Sequence, residues 1–267
     1  MDDRPIGIFD SGVGGLSVCK AVKALLPSEN IIYFGDTNRF PYGTKAIETV
    51  IRYSKEITAY LKSKDVKMIV VACNTASAAA LETLKKDNHI PIIGVIEAGA
   101  RAACKRSEGK KIGVIATRAT VQSGSYIKAI KAINPDMDII QQHASVFVSL
   151  VEEGWIDEDI TRAAGRKYIQ NMYNSGVRTL ILGCTHFPLL KKAINDIYPD
   201  LDLIDTSEEI ALEVKRILKE KNIENNAVKG QITLYASDIT DTIERLKDMF
   251  FGGDSSKITR LVIDEEK

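Results

Sequence analysis

The sequence of 267 residues lacks a long hydrophobic run. No segment approaches the roughly 20 consecutive apolar residues that a membrane-spanning helix needs. Residues 1–5, MDDRP, also lack the basic start and the apolar stretch of a signal peptide. We therefore expect a soluble protein that works in the cytoplasm and has no membrane partner.

An excess of positive charge is missing as well. The chain has 36 Lys and Arg residues against 36 Asp and Glu residues, so its formal net charge is 0. The basic residues are spread along predicted helices and form no dense cluster. Because a nucleic-acid-binding surface needs a concentration of basic side chains, we expect no nucleic-acid partner.

Cysteine is scarce, with four residues at positions 19, 73, 104 and 184. They form no Cys-x-x-Cys pair and are too few for a disulfide framework, which fits a reducing compartment. Cys19 and Cys104 fall within helical patterns, and we expect both to be small core residues.

A glycine-rich turn follows the first apolar run, in IGIFDSGVGG at residues 6–15, but it fits no nucleotide-binding motif. A dinucleotide fingerprint that begins at Gly12 needs a glycine at position 17, where this chain has Ser17, and the Gly-Lys-Ser/Thr of a P-loop is absent. Asp10 stands where a phosphate would approach and would repel it. The turn therefore predicts a different chemistry, in which Asp10 accepts a proton or holds a cation.

Apolar strand-like runs alternate with amphipathic helical patterns, which predicts an α/β fold with mostly parallel sheets. The chain also resembles itself. DVKMIVVACNTA at 65–76 aligns without a gap on GVRTLILGCTHF at 176–187, which places Cys73 on Cys184. In the same order, IGIFDSG at 6–12 resembles IGVIATR at 112–118, with Ser11 against Thr117, and IIGVIE at 92–97 resembles DLIDTS at 202–207.

A repeat of this length predicts two related α/β domains rather than a solenoid. We expect two pseudo-symmetric domains, residues 1–97 plus 208–267 and residues 98–207, each a mostly parallel sheet flanked by helices. A helix at 207–220, a strand at 231–236 and a helix at 239–249 are assigned to the first domain. Because ligands bind at the carboxyl ends of parallel strands, we expect the active site in the cleft between the domains.

Cys73 and Cys184 each end an apolar run and precede groups that can bind an anion. A lone cysteine there is more often a small buried hydrophobe, but the paired placement favours a functional role. We expect the start of a helix to lower the pKa of each thiol. Two opposed thiols can remove a proton from one face of a carbon and return one to the other, which inverts a stereocentre.

Two further side chains fit that scheme. Asp10 can orient or deprotonate one thiol, and His186, two residues after Cys184, can act beside the other. The alternative for His186 is a structural histidine at the start of a helix.

Four motifs together resemble the glutamate racemases of the aspartate/glutamate racemase superfamily, over nearly the whole chain. The resemblance implies cofactor-independent, two-base interconversion of L- and D-glutamate, which supplies D-glutamate for peptidoglycan synthesis without pyridoxal phosphate or a metal. We also expect a homodimer. The motifs are Asp10-Ser11-Gly12 with Gly14-Gly15, Phe40-Pro41-Tyr42-Gly43, Ala72-Cys73-Asn74-Thr75-Ala76 and Gly183-Cys184-Thr185-His186-Phe187-Pro188.

The resemblance also implies roles for single residues. Cys73 and Cys184 become the catalytic acid/base pair, with Asp10 supporting Cys73 and His186 supporting Cys184. Cys73 then serves as the base for D-glutamate and Cys184 as the base for L-glutamate. The implied substrate contacts are Asp10, Ser11, Pro41, Tyr42, Gly43, Asn74, Thr75, Thr117, Thr185 and His186.

A fifth catalytic residue, Glu152, is implied by the segment Leu150-Val151-Glu152, which matches a Leu-Val-Glu segment of the family. The alternative is an exposed carboxylate on a helix, which is the commoner fate of a charged side chain. The preceding residues, ASVFVS at 144–149, depart from the Cys-Pro-Leu-Phe-Val-Pro that is frequent in the family. Without the two prolines this connection is less restrained, so the exact place of Glu152 stays open.

Three other functions remain possible at this point. An aspartate or other amino-acid racemase of the same superfamily would differ in the depth of the pocket. A zinc hydrolase would use Cys73, Cys184, His186 and Asp10 as ligands, although only Cys184-x-His186 has the close spacing that such sites usually show. A non-catalytic amino-acid sensor would need the anion-binding turns and neither thiol.

Overall fold

The computed structural model describes residues 2–107, 110–252 and 257–263. The strands are β1 (Ile6–Asp10), β2 (Ile31–Gly35), β3 (Met68–Val71), β4 (Ile92–Gly94), β5 (Ile112–Ala116), β6 (Ile139–His143), β7 (Thr179–Gly183), β8 (Asp202–Asp205), β9 (Ile232–Ala236) and β10 (Ile258–Arg260). The α-helices are α1 (Leu16–Leu25), α2 (Ile47–Ser63), α3 (Asn74–Lys86), α4 (Val95–Arg106), α5 (Arg118–Gln122), α6 (Ser125–Ile133), α7 (Val146–Glu152), α8 (Asp159–Asn174), α9 (Lys191–Asn195), α10 (Thr206–Lys221) and α11 (Asp241–Phe251).

Two sheets organise the part of the chain that the structure describes. The first has the strand order β10-β9-β2-β1-β3-β4 and the second has the order β6-β5-β7-β8, and the described strand pairs are parallel. The order β2-β1-β3-β4 in the first sheet matches β6-β5-β7-β8 in the second. The predicted fold class, two pseudo-symmetric α/β halves, is therefore confirmed.

The central strands are buried along their whole length and mostly apolar. β1, β3, β5 and β7 are buried at every position. A parallel sheet is covered by helices on both faces, so its strands read as continuous hydrophobic runs without polar alternation. β6 lies at the edge of the second sheet and has the sequence IIQQH, which is half-buried throughout.

The two connections between the halves run through helices. The predicted domain boundaries, 97/98 and 207/208, fall inside α4 and α10, and these helices pack against each other. Beyond α10, β9 pairs with β2, and β10 pairs with β9. α10 also packs on α1, so the last part of the chain adds to the first sheet.

The two cysteines expected in the core have different surroundings. Cys19, in α1, is fully buried. Cys104, in α4, is only partly buried and packs at the margin of the core around β5, so the expectation of a buried core residue is wrong for Cys104. Within the described ranges no helix is long and apolar enough to cross a membrane.

A buried ion pair joins β2, β3 and the later part of the chain at the amino ends of the strands. Lys67 Nζ lies 2.6 Å from Glu29 Oε2, and both side chains are almost fully buried. The same ammonium donates to the carbonyl oxygens of Asp2 at 2.8 Å and Ile223 at 2.7 Å. Glu29 Oε1 accepts the backbone N–H of Asn225 at 2.8 Å.

We predict that Lys67→Met lowers the free energy of unfolding by about 3–5 kcal/mol, because it leaves the Glu29 carboxylate buried without its cation. Urea denaturation measures the change. The pair lies at the opposite ends of the strands from the carboxyl ends, so turnover per folded molecule should not change. The matched control is Lys55→Met, which removes the exposed Lys55–Asp87 pair of 2.9 Å and should cost no more than about 1 kcal/mol. Equal losses in the two variants would contradict the prediction.

Candidate active site

A cavity of about 360 Å³ lies where the carboxyl ends of the two sheets meet. β1 leads to Ser11 and β3 leads to Cys73, while β5 leads to Thr117 and β7 leads to Cys184. Each half therefore contributes two strand ends and one thiol. The lining residues are Ser11, Phe40, Pro41, Tyr42, Gly43, Thr44, Cys73, Asn74, Thr75, Thr117, Ser145, Val148, Ser149, Glu152, Cys184, Thr185 and His186.

Every site residue predicted from the sequence lines this cavity except Asp10. Asp10 ends β1 and is fully buried behind the wall, where its carboxylate accepts the N–H of Gly12 at 3.1 Å and the hydroxyl of Thr185 at 3.4 Å. Burial raises the pKa of Asp10, against the charge of His186 and the backbone N–H donors. Asp10 therefore contacts residues of the wall and is not part of the surface that a ligand would touch.

Cys73 occupies the cap position before α3. Its Sγ accepts the N–H of Ala76 at 3.4 Å and lies 3.5 Å from Ser11 Oγ, toward which the thiol donates. Burial, followed by the nearby Asp10 carboxyl, raises the pKa of Cys73 to about 12. The sequence-based expectation of a lowered pKa is wrong here, because the loss of water outweighs the helix start. At neutral pH Cys73 is a protonated thiol.

Cys184 has a charged neighbour. Its Sγ lies 3.9 Å from His186 Nδ1, and His186 Nε2 lies 3.4 Å from Glu152 Oε1. Burial acts to lower the pKa of His186, but the interactions with Cys184 and Glu152 prevail and raise it to about 10. His186 therefore places a positive charge beside the Cys184 sulfur. The two thiols of the cavity therefore differ in their electrostatic surroundings.

Glu152, whose place the sequence left open, is the last residue of α7. Its side chain is 30% exposed and reaches the cavity and His186. Arg245 of α11 donates a hydrogen bond to its carbonyl oxygen. The proline-free segment before it forms the start of α7, where the Ser145 hydroxyl accepts the N–H of Arg118 at 3.2 Å.

The glycines after β1 allow the two halves to approach closely. A Cβ on Gly14 would lie 2.4 Å from Thr185 Oγ1 and 2.6 Å from His186 Nδ1, and a Cβ on Gly15 would lie 2.5 Å from Asp10 Cβ. Real Cβ atoms do not make such contacts. The turn that resembled a phosphate loop therefore packs the first half against the segment that carries Cys184.

Hydroxyl groups from both halves meet at the cavity. Thr75 Oγ1 lies 3.0 Å from Thr117 Oγ1, and both lie within 3.3 Å of the hydroxyl of Thr120. Thr120 was not among the predicted site residues, although its spacing from Thr117 places it one helical turn away. Tyr42 directs its hydroxyl to Asp36 and away from the cavity, so it offers a ligand its ring and backbone.

The sequence also did not indicate five residues that line the cavity: Phe40, Thr44, Ser145, Val148 and Ser149. Phe40 belongs to the motif Phe40-Pro41-Tyr42-Gly43, and its ring centroid is 5.9 Å from that of His186. Ser145, Val148 and Ser149 lie in the segment that departs from the family pattern. These residues lie close in the chain to predicted site residues, but their side chains carry no group that indicates catalysis or substrate binding.

No lysine or arginine is among the described residues that line the cavity. Neutral donors are available instead, and Asn74 Nδ2 is buried with no hydrogen-bond partner in the described structure. Hydroxyl, amide and backbone N–H groups can bind carboxylates without a basic side chain. In the same described ranges, no three His, Cys, Asp or Glu side chains form a group that could hold a metal ion.

Residues 6–214 match the family model described as Asp/Glu/Hydantoin racemase. The chain belongs to this family. The racemase is 44% identical to the glutamate racemase of Geobacter metallireducens over 269 residues, which cover 100% of both chains. A crystal structure of the glutamate racemase from Francisella tularensis in complex with D-glutamate has a TM-score of 0.93 at 35% identity and covers 99% of each chain. Aspartate racemase from Picrophilus torridus shares the fold, with a TM-score of 0.56 at 20% identity, over 83% of this chain and 99% of that one.

We predict that the two thiols of the racemase react with iodoacetamide at different rates. Near neutral pH, Cys184 should be alkylated at least about 10-fold faster than Cys73, because only the thiolate form reacts and burial raises the pKa of the Cys73 thiol to about 12. Peptide mass spectrometry after short exposures measures both rates. His186→Asn should slow the alkylation of Cys184 and leave the alkylation rate of Cys73 unchanged. Buried Cys19 serves as an internal control. Faster labelling of Cys73 would contradict this account of the charges.

Proposed function

We propose that this chain is a glutamate racemase that interconverts L- and D-glutamate with Cys73 and Cys184 as its acid/base pair. One observation carries the proposal: two thiols from corresponding strand ends of two related halves line one cavity. A base on one side of a carbon and an acid on the other is the arrangement that a two-base inversion needs.

The proposed reaction moves one proton off the substrate and another onto it. With L-glutamate, the Cys184 thiolate takes the proton from Cα and the Cys73 thiol donates a proton to the opposite face. D-glutamate leaves, Cys184 is then a thiol, and Cys73 is a thiolate. The reverse reaction uses the same groups in exchanged roles, and proton exchange with water restores either starting form.

The surroundings of each thiol fit these roles. His186 lies between Cys184 and Glu152 and places a positive charge beside the sulfur that is proposed to act as the base for L-glutamate. The raised pKa of Cys73 keeps it protonated as the acid of this direction. Asp10 is proposed to support Cys73 from behind the wall, because burial raises the pKa of this carboxyl and makes it a better proton acceptor.

The cavity would bind the two carboxylates of glutamate with neutral donors. Among the predicted contacts that line it, the candidate donors are Ser11, Tyr42, Gly43, Asn74, Thr75, Thr117 and Thr185. Pro41 has no N–H and offers its ring, and His186 is a cation.

Glutamate is favoured over aspartate by similarity. Relatives that match over the full chain are glutamate racemases, and the Francisella tularensis enzyme holds D-glutamate. A zinc hydrolase is disfavoured, because the described part of the chain groups no three metal-ligating side chains. A sensor would leave the paired thiols unexplained.

The proposal extends to the setting of the reaction. D-glutamate supplies peptidoglycan synthesis in this family, and free thiols suit the reducing cytoplasm. We propose that the racemase works in the cytoplasm.

We also propose that the racemase is a homodimer. Large apolar side chains exposed at Val146, Trp155 and Ile160 support a contact surface near α7 and α8. Sedimentation velocity measures the mass, and a single-chain mass would contradict the dimer.

We predict that early reaction in D₂O places deuterium at Cα of the newly formed enantiomer, while unreacted substrate keeps its hydrogen. The product receives its proton from the second thiol, which has already exchanged with water, whereas the first thiol holds the abstracted hydrogen. NMR of the separated enantiomers measures both labels, starting from L-glutamate and from D-glutamate, with L-aspartate and L-alanine as comparison substrates. No cofactor is added.

Cys73→Ser and Cys184→Ser should each abolish racemisation, because a hydroxyl is a far weaker acid than a thiol. Deuterium that appears in recovered substrate as fast as in product would indicate one base acting on both faces and would overturn the two-base proposal. Faster turnover of aspartate than of glutamate would overturn the assigned substrate while leaving the chemistry intact.

A further inference from the structure

Tyr126, in α6, is a fully buried side chain that reaches from the second half of the molecule to the first. Its ring lies against two glycines. A Cβ on Gly183 would lie 3.1 Å from the ring, and a Cβ on Gly99 would lie 3.6 Å from it. Gly183 directly precedes Cys184, so the ring packs on the strand end that presents this thiol.

The hydroxyl of Tyr126 donates a hydrogen bond of 2.7 Å to Asn74 Oδ1. Asn74 directly follows Cys73, is 2% exposed and lines the cavity. One phenol therefore contacts the neighbours of both thiols. Burial, followed by the charges of Cys184 and Glu97, raises the pKa of Tyr126 far above its ordinary value, so the hydroxyl keeps its proton.

The amide of Asn74 is only half satisfied. Its oxygen has the Tyr126 hydroxyl, while its Nδ2 is buried and has no partner among the described residues. A buried donor without an acceptor costs free energy. We therefore expect Nδ2 to donate a hydrogen bond to an acceptor that comes from a ligand. A substrate carboxylate in the cavity supplies such an acceptor.

The orientation of this amide decides whether it attracts or repels a carboxylate. With Nδ2 toward the cavity, a carboxylate meets a donor, and with Oδ1 toward the cavity it meets another acceptor. The Tyr126 hydroxyl has one proton, and its one hydrogen bond in the described structure goes to Oδ1. That bond holds the carbonyl end of the amide away from the ligand.

We propose that Tyr126 is a positioning residue for substrate binding: its hydroxyl fixes the Asn74 amide so that Nδ2 donates to a carboxylate of the substrate. The inference rests on the proposed function, because it takes glutamate as the ligand. It adds a residue from the second half of the molecule to the recognition of a group bound beside Cys73.

The test is Tyr126→Phe, which removes the hydroxyl and keeps the ring between the two glycines. The KM for both enantiomers of glutamate should rise about 10-fold, the effect of weakening one hydrogen bond to a charged group. kcat should change less than about 3-fold, because that bond exists in the bound substrate and in the transition state alike. Asn74→Ala should raise KM at least as much, and Tyr126→Phe should add nothing in the Asn74→Ala background.

The matched control is Tyr198→Phe. Tyr198 is 3% exposed and also donates from its hydroxyl to a side-chain amide oxygen, that of Gln170 at 3.2 Å, but it lines no part of the cavity. The KM of the Tyr198→Phe variant should equal that of the unmodified enzyme. Circular dichroism melting establishes that each variant is folded at the assay temperature.

The outcomes separate the two proposals. If the unmodified enzyme does not racemise glutamate, both the proposed function and the inference about Tyr126 are overturned. Active enzyme with an unchanged KM in Tyr126→Phe, or with additive effects in the double variant, would overturn the inference alone. A Tyr126→Phe variant that does not fold would overturn it too, because the hydroxyl would then be needed for the fold rather than for Asn74.

Discussion

The close approach of the glycine turn after β1 to the segment that follows β7 determines the rest of the site. Gly14 lies so near Thr185 and His186 that a single methyl group would collide with both. This contact sets the spacing of the two sheets at their carboxyl ends, and Asp10 reinforces it by accepting the Thr185 hydroxyl across the boundary. Because the thiols stand at those ends, the same contact fixes the cavity between them.

A symmetric repeat here carries an asymmetric site. The corresponding strand ends present Cys73 and Cys184, but the neighbours of the two thiols differ. Cys73 lies beside Ser11 and near the buried carboxyl of Asp10, whereas Cys184 lies beside a histidinium that contacts Glu152. In the proposed reaction one thiol gives a proton while the other takes one, so unlike surroundings would suit groups that hold opposite roles in each direction.

The features that the sequence predicted well are those that recur along the chain. Comparing the chain with itself paired Cys73 with Cys184 and Ser11 with Thr117, and the matching strand orders of the two sheets follow that pairing. Apolar runs indicated the buried parallel strands, because such strands need hydrophobic residues on both faces.

Other features depend on contacts between distant parts of the chain, which spacing does not reveal. The raised pKa of Cys73 comes from burial by the assembled cavity, and Asp10 lies behind the wall because the glycine turn folds over it. Thr120 and Tyr126 form hydrogen bonds with residues of the other half, Thr75 and Asn74. Glu152 reaches His186 because α7 ends at the cavity, and a segment without the family's prolines did not indicate that.

A crystal structure of the racemase with bound glutamate tests the central claim most directly. The account predicts that Cα lies between Cys73 Sγ and Cys184 Sγ, with the two sulfurs on opposite faces of the carbon and the carboxylates on neutral donors of the cavity wall. Glutamate bound with both sulfurs on the same face of Cα, or bound outside this cavity, would contradict it.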